Sequence, residues 1–417
     1  MEIKIQSVKD LDLTGKKILF RPDINSPIDS VTRKIVSSNR IRKMAPTLKY
    51  LLDNGASVAV IAHQGDTLDY QNLISMQEHA QKLSESAGYP IVYLDDVCGD
   101  AATEAVKNMK SGECIFLGNL RYLTEEVSTF EKDVKLAPEE MKDTYLIRRL
   151  APLFDLYVND AFSAAHRNCP SMTGFQQVLP SAAGFQFFDE YAALSAVRDN
   201  AAHPAVFVLG GAKISDAFGM METVLKNGTA DKILTTGITG TIMLIASGVD
   251  VGGKELQFLK DKDLLVFVDA AKSYLHDYPS RIEMPIDVAF KDGDAREEIS
   301  VSEIPPDELF LDIGSATVEK YAKILASAGT IFANGPAGVY EDSLFTDGTK
   351  GIWQAIADSS GYSVIGGGDT VNSATMFIDI AQISYVCTAG GALIRFMSGK
   401  KLPLVDAMEK AYERSKE

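Results

Sequence analysis

The sequence predicts an α/β fold of two doubly wound, Rossmann-like parallel-sheet domains joined by a hinge helix. Three observations carry this. Short, uniformly apolar runs recur along the chain, of the kind that suits parallel strands covered on both faces. Segments with helical spacing separate them, and strand–helix alternation is the signature of parallel α/β sheets. The length, 417 residues, exceeds what one ordinary core organises.

The elements follow in order. In the first half the apolar runs are KILF (17–20), VAVIA (58–62), CIFL (114–117) and LYV (156–158). Ile41, Met44, Leu48, Leu51 and Leu52 keep helical spacing and stop before Gly55. The charged, weakly periodic stretch 124–143 reads as a solvated insertion. Pro180 and Gly184 punctuate VLPSAAGFQFF (178–188), which marks the join, and a helix over roughly Glu190 to Arg198 is the expected connector. The domains are thus 1–180 and 181–399. In the second half the runs are VFVL (206–209), KILTT (232–236), LLVFV (264–268), LFLDI (309–313), TIFA (330–333) and YSVI (362–365). Phe218, Met221 and Leu225 form a helical stripe ended by Gly228, a C-terminal cap glycine. The tail LVDAMEKAYERSKE, within 400–417, reads as an amphipathic helix.

Composition narrows the function. A net charge of −16 argues against nucleic acid and anionic membranes as partners. Hydrophobic content of 46% and charged content of 24% describe a globular chain. Cys98, Cys114, Cys169 and Cys387 lie far apart with no C-x-x-C pair, so neither a zinc site nor a redox motif is expected, and reduced thiols suit a cytoplasmic location. The start, MEIKIQSVKD, lacks the apolar centre of a leader, and no run of 18 apolar residues offers a membrane span.

In open α/β sheets ligands sit beyond the carboxyl ends of the strands. In the first half those ends are cationic. KILF leads to Arg21, Asp23 and Asn25, VAVIA to His63, CIFL to Asn119 and Arg121, and LYV to Asn159, Asp160, His166 and Arg167. Arg40 opens the first helix. Guanidinium forks match phosphate and carboxylate oxygens, so this edge is expected to bind a small polyanion; the plainer reading is separate surface charges or structural ion pairs. In the second half the ends are glycine-rich: Gly210-Gly211-Ala212-Lys213, Gly237, Gly314, Asn334 to Gly338, and Gly366-Gly367-Gly368-Asp369-Thr370. These match neither the P-loop nor the dinucleotide pattern. Glycines still let backbone N–H groups approach a ligand, and a following helix adds its positive end, which favours a nucleotide. Asp369 either holds Mg2+ or caps the helix that starts there. The two halves together suggest a two-substrate phosphoryl transferase whose hinge closure excludes water.

On these motifs the chain resembles the phosphoglycerate kinase family over nearly its whole length. FRPDINSP, AHQG, FLGNLRYLTEE, YVNDAFSAAHRNCPSMTGF, VLGGAKISD, FANGPAGVYE and GGGDT follow in the family's order. The resemblance, closest to the archaeal branch, implies reversible transfer between 1,3-bisphosphoglycerate and ADP, giving 3-phosphoglycerate and ATP. It implies that Arg21, Asp23, Asn25, Arg40, His63, Arg121 and Arg167 bind the phosphoglycerate. It also implies that Gly211, Lys213, Asn334, Glu341, Gly367, Gly368, Asp369 and Thr370 bind the nucleotide, with Asp369 near Mg2+. Arg40 and Lys213 are the expected catalytic charges. The tail 400–417 is expected to return to the N-terminal domain. Monomer and homodimer remain open, as does ADP against GDP.

Three positions depart from the family pattern. Ala217 stands where many members carry a second lysine, and Ser315 replaces a usual proline. Asp66 stands where Arg or Lys usually follows H-x-G, so either it turns away from the anion site or it weakens or changes the acceptor. Phosphoglycerate kinase activity is therefore weighed against two others: a paralogue phosphorylating another small carboxylate, and a nucleotide-binding protein without turnover.

Overall fold

The computed structural model describes residues 3–303 and 307–416. The chain forms two compact units. One runs to Ala192 and takes back the chain from Lys401; the other is Ala193–Lys400. The division falls inside the helix Phe185–Asp199, which is longer than the connector read from the sequence.

The N-terminal unit has strands β1 (Lys17–Pro22), β2 (Ser57–Ala62), β3 (Val92–Tyr93), β4 (Cys114–Asn119), β5 (Leu156–Asp160) and β6 (Ser181–Ala183). They form one sheet in the order β3-β4-β2-β1-β5-β6, and every pairing is parallel. Side chains alternate along a strand, so uniformly apolar strands supply two cores. Ile18, Phe20, Val58, Val60 and Phe116 pack with Ile41, Met44, Leu48 and Leu51 of the helix Asn39–Asp53. Leu19, Ala59, Ile61 and Leu117 face the other way, toward Leu146, Leu150 and Phe175. Each fully buried Leu, Ile or Phe adds about 1.5–3 kcal/mol relative to exposure. The helix Pro403–Arg414 belongs to this unit: Leu404 N–H donates to Ala165 O at 3.2 Å, and Lys410 pairs with Glu139 at 2.7 Å.

The second unit has β7 (Ala205–Leu209), β8 (Lys232–Thr235), β9 (Ile282–Glu283), β10 (Asp287–Asp292), β11 (Ala295–Ser300), β12 (Asp312–Ile313), β13 (Thr330–Asn334), β14 (Tyr362–Ile365) and β15 (Tyr385–Val386). Its main sheet is parallel, in the order β15-β14-β13-β7-β8-β9. Val206, Val208, Ile331 and Ala333 pack one face of it against Tyr321, Leu325, Ile352 and Trp353.

Two predicted strands are corrected. LLVFV (264–268) is a short 3-10 turn, Leu265–Phe267, running into the helix Val268–Asp277. LFLDI (309–313) contributes only β12, which pairs antiparallel with β10 in a separate three-stranded sheet, β11-β10-β12. The β10–β11 hairpin was not anticipated. Ser315 uses the N–H that a proline would lack: both it and the Ser315 hydroxyl donate to Glu298 of β11, at 2.9 and 2.6 Å. Ala217 is buried on the helix Ile214–Lys226, where a lysine would lose its hydration.

Candidate active site

The cationic residues read from the sequence do gather. Parallel pairing brings the ends of β1, β2, β4 and β5 to one edge of the sheet. Arg21 is buried at the end of β1; its Nη1 donates to Pro22 O at 2.9 Å and its Nη2 to His63 Nδ1 at 2.8 Å. Burial pushes the His63 imidazolium well below its ordinary range, and the charges of Arg21, Arg121, Arg167 and Arg40 push the same way. All four arginines thus lie within electrostatic reach of one imidazole. Arg40 Nη1 lies 3.2 Å from Asp23 Oδ2, which also accepts the Ser163 hydroxyl. Asn25 is half-buried on the loop after β1, beside Ser26, whose N–H donates to Gln64 Oε1 at 2.8 Å.

Arg121 is buried beyond β4. Its Nη1 donates to the carbonyl of Glu126 and lies 3.2 Å from Asp66 Oδ2. Arg167 Nε donates to Glu131 Oε2 at 2.5 Å, and its Nη1 lies 3.8 Å from Asp66 Oδ2. Asp66 therefore does not turn away from the arginines. Burial opposes its ionisation, but Arg121 and hydrogen bonds from Ser128 and Thr67 hold its carboxyl below the usual range.

The stretch 124–143 is not a mere solvated insertion. Glu126 is 1% exposed and accepts from the Ser171 N–H and hydroxyl at 2.6 and 2.7 Å. Glu131 accepts from Arg167 and from the Asn168 N–H. These acids, with Gln64 and Asn119, hold the arginine cluster. Asn119 Oδ1 accepts from the N–H groups of Gln64 and Arg121 at 3.2 and 3.0 Å, and its amide donates to Gln64 O and Ile74 O. Three buried guanidinium nitrogens, Arg21 Nε, Arg121 Nε and Arg167 Nη2, have no hydrogen-bond partner among the described residues. Buried donors are normally satisfied, and a cluster of unsatisfied guanidinium donors suits the binding of an anion.

In the second unit the glycine-rich strand ends interlock. Gly210 N–H donates to Asn334 O and Gly211 N–H to Pro336 O, at 2.9 and 2.8 Å. Gly335 has φ +91°, and an added Cβ there would sit 2.2 Å from Gly210 O. Thr370, 1% exposed, accepts the Gly335 N–H at 2.8 Å, and the Asn334 amide donates to Gly366 O at 2.6 Å. Beside this scaffold lies a cleft of about 320 Å³. Gly211, Gly237, Pro336, Gly338, Glu341 and Asp369 line it together with Ile238, Phe258, Val288, Leu309 and Phe310.

The second set of predicted site residues thus divides. Gly211, Glu341 and Asp369 line the cleft, and Asn334 and Thr370 brace its wall. Gly367, at φ +106°, and the exposed Gly368 form the turn into the helix Gly368–Phe377, which places Asp369 in its first turn. Lys213 is exposed at the start of the helix Ile214–Lys226, and the cleft lining stops one residue before it, at Ala212. Sequence reading missed Glu255, buried in the cleft wall, where burial pushes its carboxyl up to about 7. It also missed the buried hydroxyls of Thr236 and Thr239, which have no partner among the described residues. An acidic residue on an amphipathic helix and threonines after a strand give no distinguishing signal.

Two parallel α/β units, one with guanidinium groups at its strand ends and one with a glycine-built cleft, form an enzyme of the phosphotransferase class. The family model described as phosphoglycerate kinase matches residues 8–400. The phosphoglycerate kinase of Methanothermus fervidus is 39% identical over 412 residues, covering 99% of this chain and 98% of the relative. That of Thermococcus kodakarensis is 40% identical over 416 residues, covering 98% of each. The crystal structure of phosphoglycerate kinase from Pyrococcus horikoshii OT3 aligns with TM-score 0.84 at 36% identity, over 98% of this chain and all of that one. The chain belongs to the phosphoglycerate kinase family. Its activity is reversible phosphoryl transfer between 1,3-bisphosphoglycerate and ADP, giving 3-phosphoglycerate and ATP. Of the three functions weighed from the sequence, family membership supports this one.

Proposed function

We propose that the arginine edge of the N-terminal unit binds 3-phosphoglycerate or 1,3-bisphosphoglycerate, and that the glycine-built cleft binds ADP or ATP. Arg21, Asp23, Asn25, Arg40, His63, Arg121 and Arg167 are assigned to the acceptor. Gly211, Lys213, Asn334, Glu341, Gly367, Gly368, Asp369 and Thr370 are assigned to the nucleotide, Asn334 and Thr370 by fixing the backbone around it. The domain roles follow the two units: the one that runs to Ala192 and takes back the chain from Lys401 for the acceptor, and Ala193–Lys400 for the nucleotide. The location is cytoplasmic, which suits four buried cysteines that form no disulfide among the described residues.

In the kinase direction a carboxylate oxygen of 3-phosphoglycerate attacks the γ-phosphorus of ATP. One P–O bond forms, the bond to ADP breaks, and no proton is transferred. This chain therefore supplies position and charge, not a nucleophile. Arg40 serves the reacting end of the acceptor, and Asp23, 3.2 Å away, fixes it. Lys213, exposed at the start of its helix, serves the nucleotide as a point charge. His63, held neutral, accepts from Arg21 and orients that guanidinium without adding charge.

Mg2+ fits Asp369. Mg2+ is commonly held by one or two carboxylates plus substrate phosphates, and Asp369 is an exposed carboxylate at the cleft, without a cage of three ligating residues among those described. When bound there it would neutralise phosphate charge.

The observation that carries this reading is the trio of buried, unpartnered guanidinium nitrogens around His63. Its test is a coupled assay with 3-phosphoglycerate and Mg-ATP on the wild type and Arg121→Met. Loss of acceptor saturation in the variant supports the assignment; an unchanged KM for 3-phosphoglycerate removes it.

A further inference from the structure

Among the described residues, Asp66 is the one carboxylate that forms ion pairs with two of the arginines assigned above to the acceptor. Its two oxygens differ in role. Oδ1 accepts from the N–H of Thr67 at 2.7 Å, the hydroxyl of Thr67 at 3.1 Å and the N–H of Ser128 at 3.2 Å. Oδ2 faces Arg121 and Arg167, at 3.2 and 3.8 Å. The side chain is 17% exposed. Three donors fix Oδ1, so this is a built-in charge and not a side chain that swings aside when a ligand arrives.

That charge meets arginines already partly neutralised. Arg167 is paired with Glu131, and Arg40 with Asp23. Asp66 is the only ion-pair partner of Arg121 among the described residues. The unpartnered nitrogens, Arg121 Nε and Arg167 Nη2, are the ones left to grip an anion. An anion there sits a few ångströms from the Asp66 carboxylate, where like charges repel appreciably in a partly buried setting.

We propose that Asp66 is an attenuating residue of the acceptor subsite, one that weakens binding of the acceptor's phosphate by occupying part of the Arg121–Arg167 pair. It acts through the arginines and repels the ligand's charge; it does not touch the reacting atoms. The proposal rests on the assignment of Arg121 and Arg167 to the acceptor.

The test compares KM for 3-phosphoglycerate, KM for ATP, and direct titration with 3-phosphoglycerate in the wild type, Asp66→Asn, Asp66→Glu and Arg121→Met. Asparagine keeps an acceptor for the Thr67 and Ser128 donors and removes the charge. Asp66→Asn is expected to bind 3-phosphoglycerate about tenfold more tightly, with KM for ATP serving as the internal control. Asp66→Glu, which keeps the charge, is expected to stay near the wild type. Unchanged or weaker 3-phosphoglycerate binding in Asp66→Asn, with Arg121→Met weakened as expected, would overturn the attenuating role alone. No effect of Arg121→Met would overturn the subsite assignment itself. Should Asp66→Asn fail to fold, Asp66→Ser carries the same expectation.

Discussion

Arg21 Nη2 lies 2.8 Å from His63 Nδ1, and an arginine can only donate. His63 therefore presents a bare Nδ1 and carries its proton on Nε2. The imidazole is held in its neutral form by burial and by four surrounding arginines. His63 is not the group behind any loss of activity near its ordinary pKa of 6.5. Its ring resonances are expected to stay flat in an NMR titration from about pH 6 to 8; a midpoint near the ordinary value would show that the arginines do not surround it.

Lys213→Ala tests the charge proposed for the phosphoryl group. A contact made mainly in the transition state alters kcat and leaves ground-state binding. The expected outcome is a fall in kcat of about 10²–10³, with nucleotide affinity within about tenfold. Steady-state kinetics measure both, and a near-normal kcat would remove Lys213 from the mechanism.

The glycine lattice of the cleft makes a sharper stability test. Gly335 has φ +91° and no room for a Cβ, whereas Gly15 has φ +68° with nothing within 4 Å. Alanine at Gly15 pays only the backbone preference, about 1 kcal/mol, while Gly335→Ala must also displace Gly210 and is expected to cost about 2–4 kcal/mol. Denaturant unfolding of the two variants compares them. Equal losses would mean that the strand ends are not packed as described.

Asp160 ties the N-terminal sheet to the start of the helix Phe185–Asp199. Its carboxylate accepts from Thr47 Oγ1 and Phe187 N–H at 2.6 and 2.7 Å, and burial pushes its pKa from 3.8 up to about 7. A raised folded-state pKa gives stability that is present below the unfolded value and is lost as pH rises through the folded one. The stability of the wild type relative to Asp160→Asn should therefore fall by up to a few kcal/mol between about pH 4 and pH 8. Thermal unfolding across that range measures it. A difference that does not vary with pH would show that Asp160 ionises freely.

Much of the fold was legible because period and burial agree. KILF, VAVIA, CIFL and VFVL are apolar on both faces and became strands of the parallel sheets. LLVFV has the same composition, but an apolar run does not distinguish strand from helix, and the residues after it, DAAKSYL, continue a helix. The two-residue strands β3, β9 and β15 are too short for any periodicity. The β10–β11 hairpin did leave a trace: DVAFKD and AREEIS flank Gly293-Asp294, a turn pair.

The candidate site was legible where chemistry and strand ends coincide, as for Arg21, His63, Arg121 and Arg167. It was not legible where a role depends on distant partners. Glu126 and Glu131 look like solvated charges in sequence, yet they bond Ser171 and Arg167, 45 and 36 residues away. Asp66 could be recognised as out of pattern, but only the geometry shows that it sits on the arginines.

The division of labour between the two units is tested most directly by calorimetric titration of Arg121→Met with 3-phosphoglycerate and, separately, with Mg-ATP. The expected result is an acceptor affinity at least about tenfold weaker than wild type, with nucleotide affinity within about twofold. Intact acceptor affinity, or an equal loss for both ligands, would contradict it.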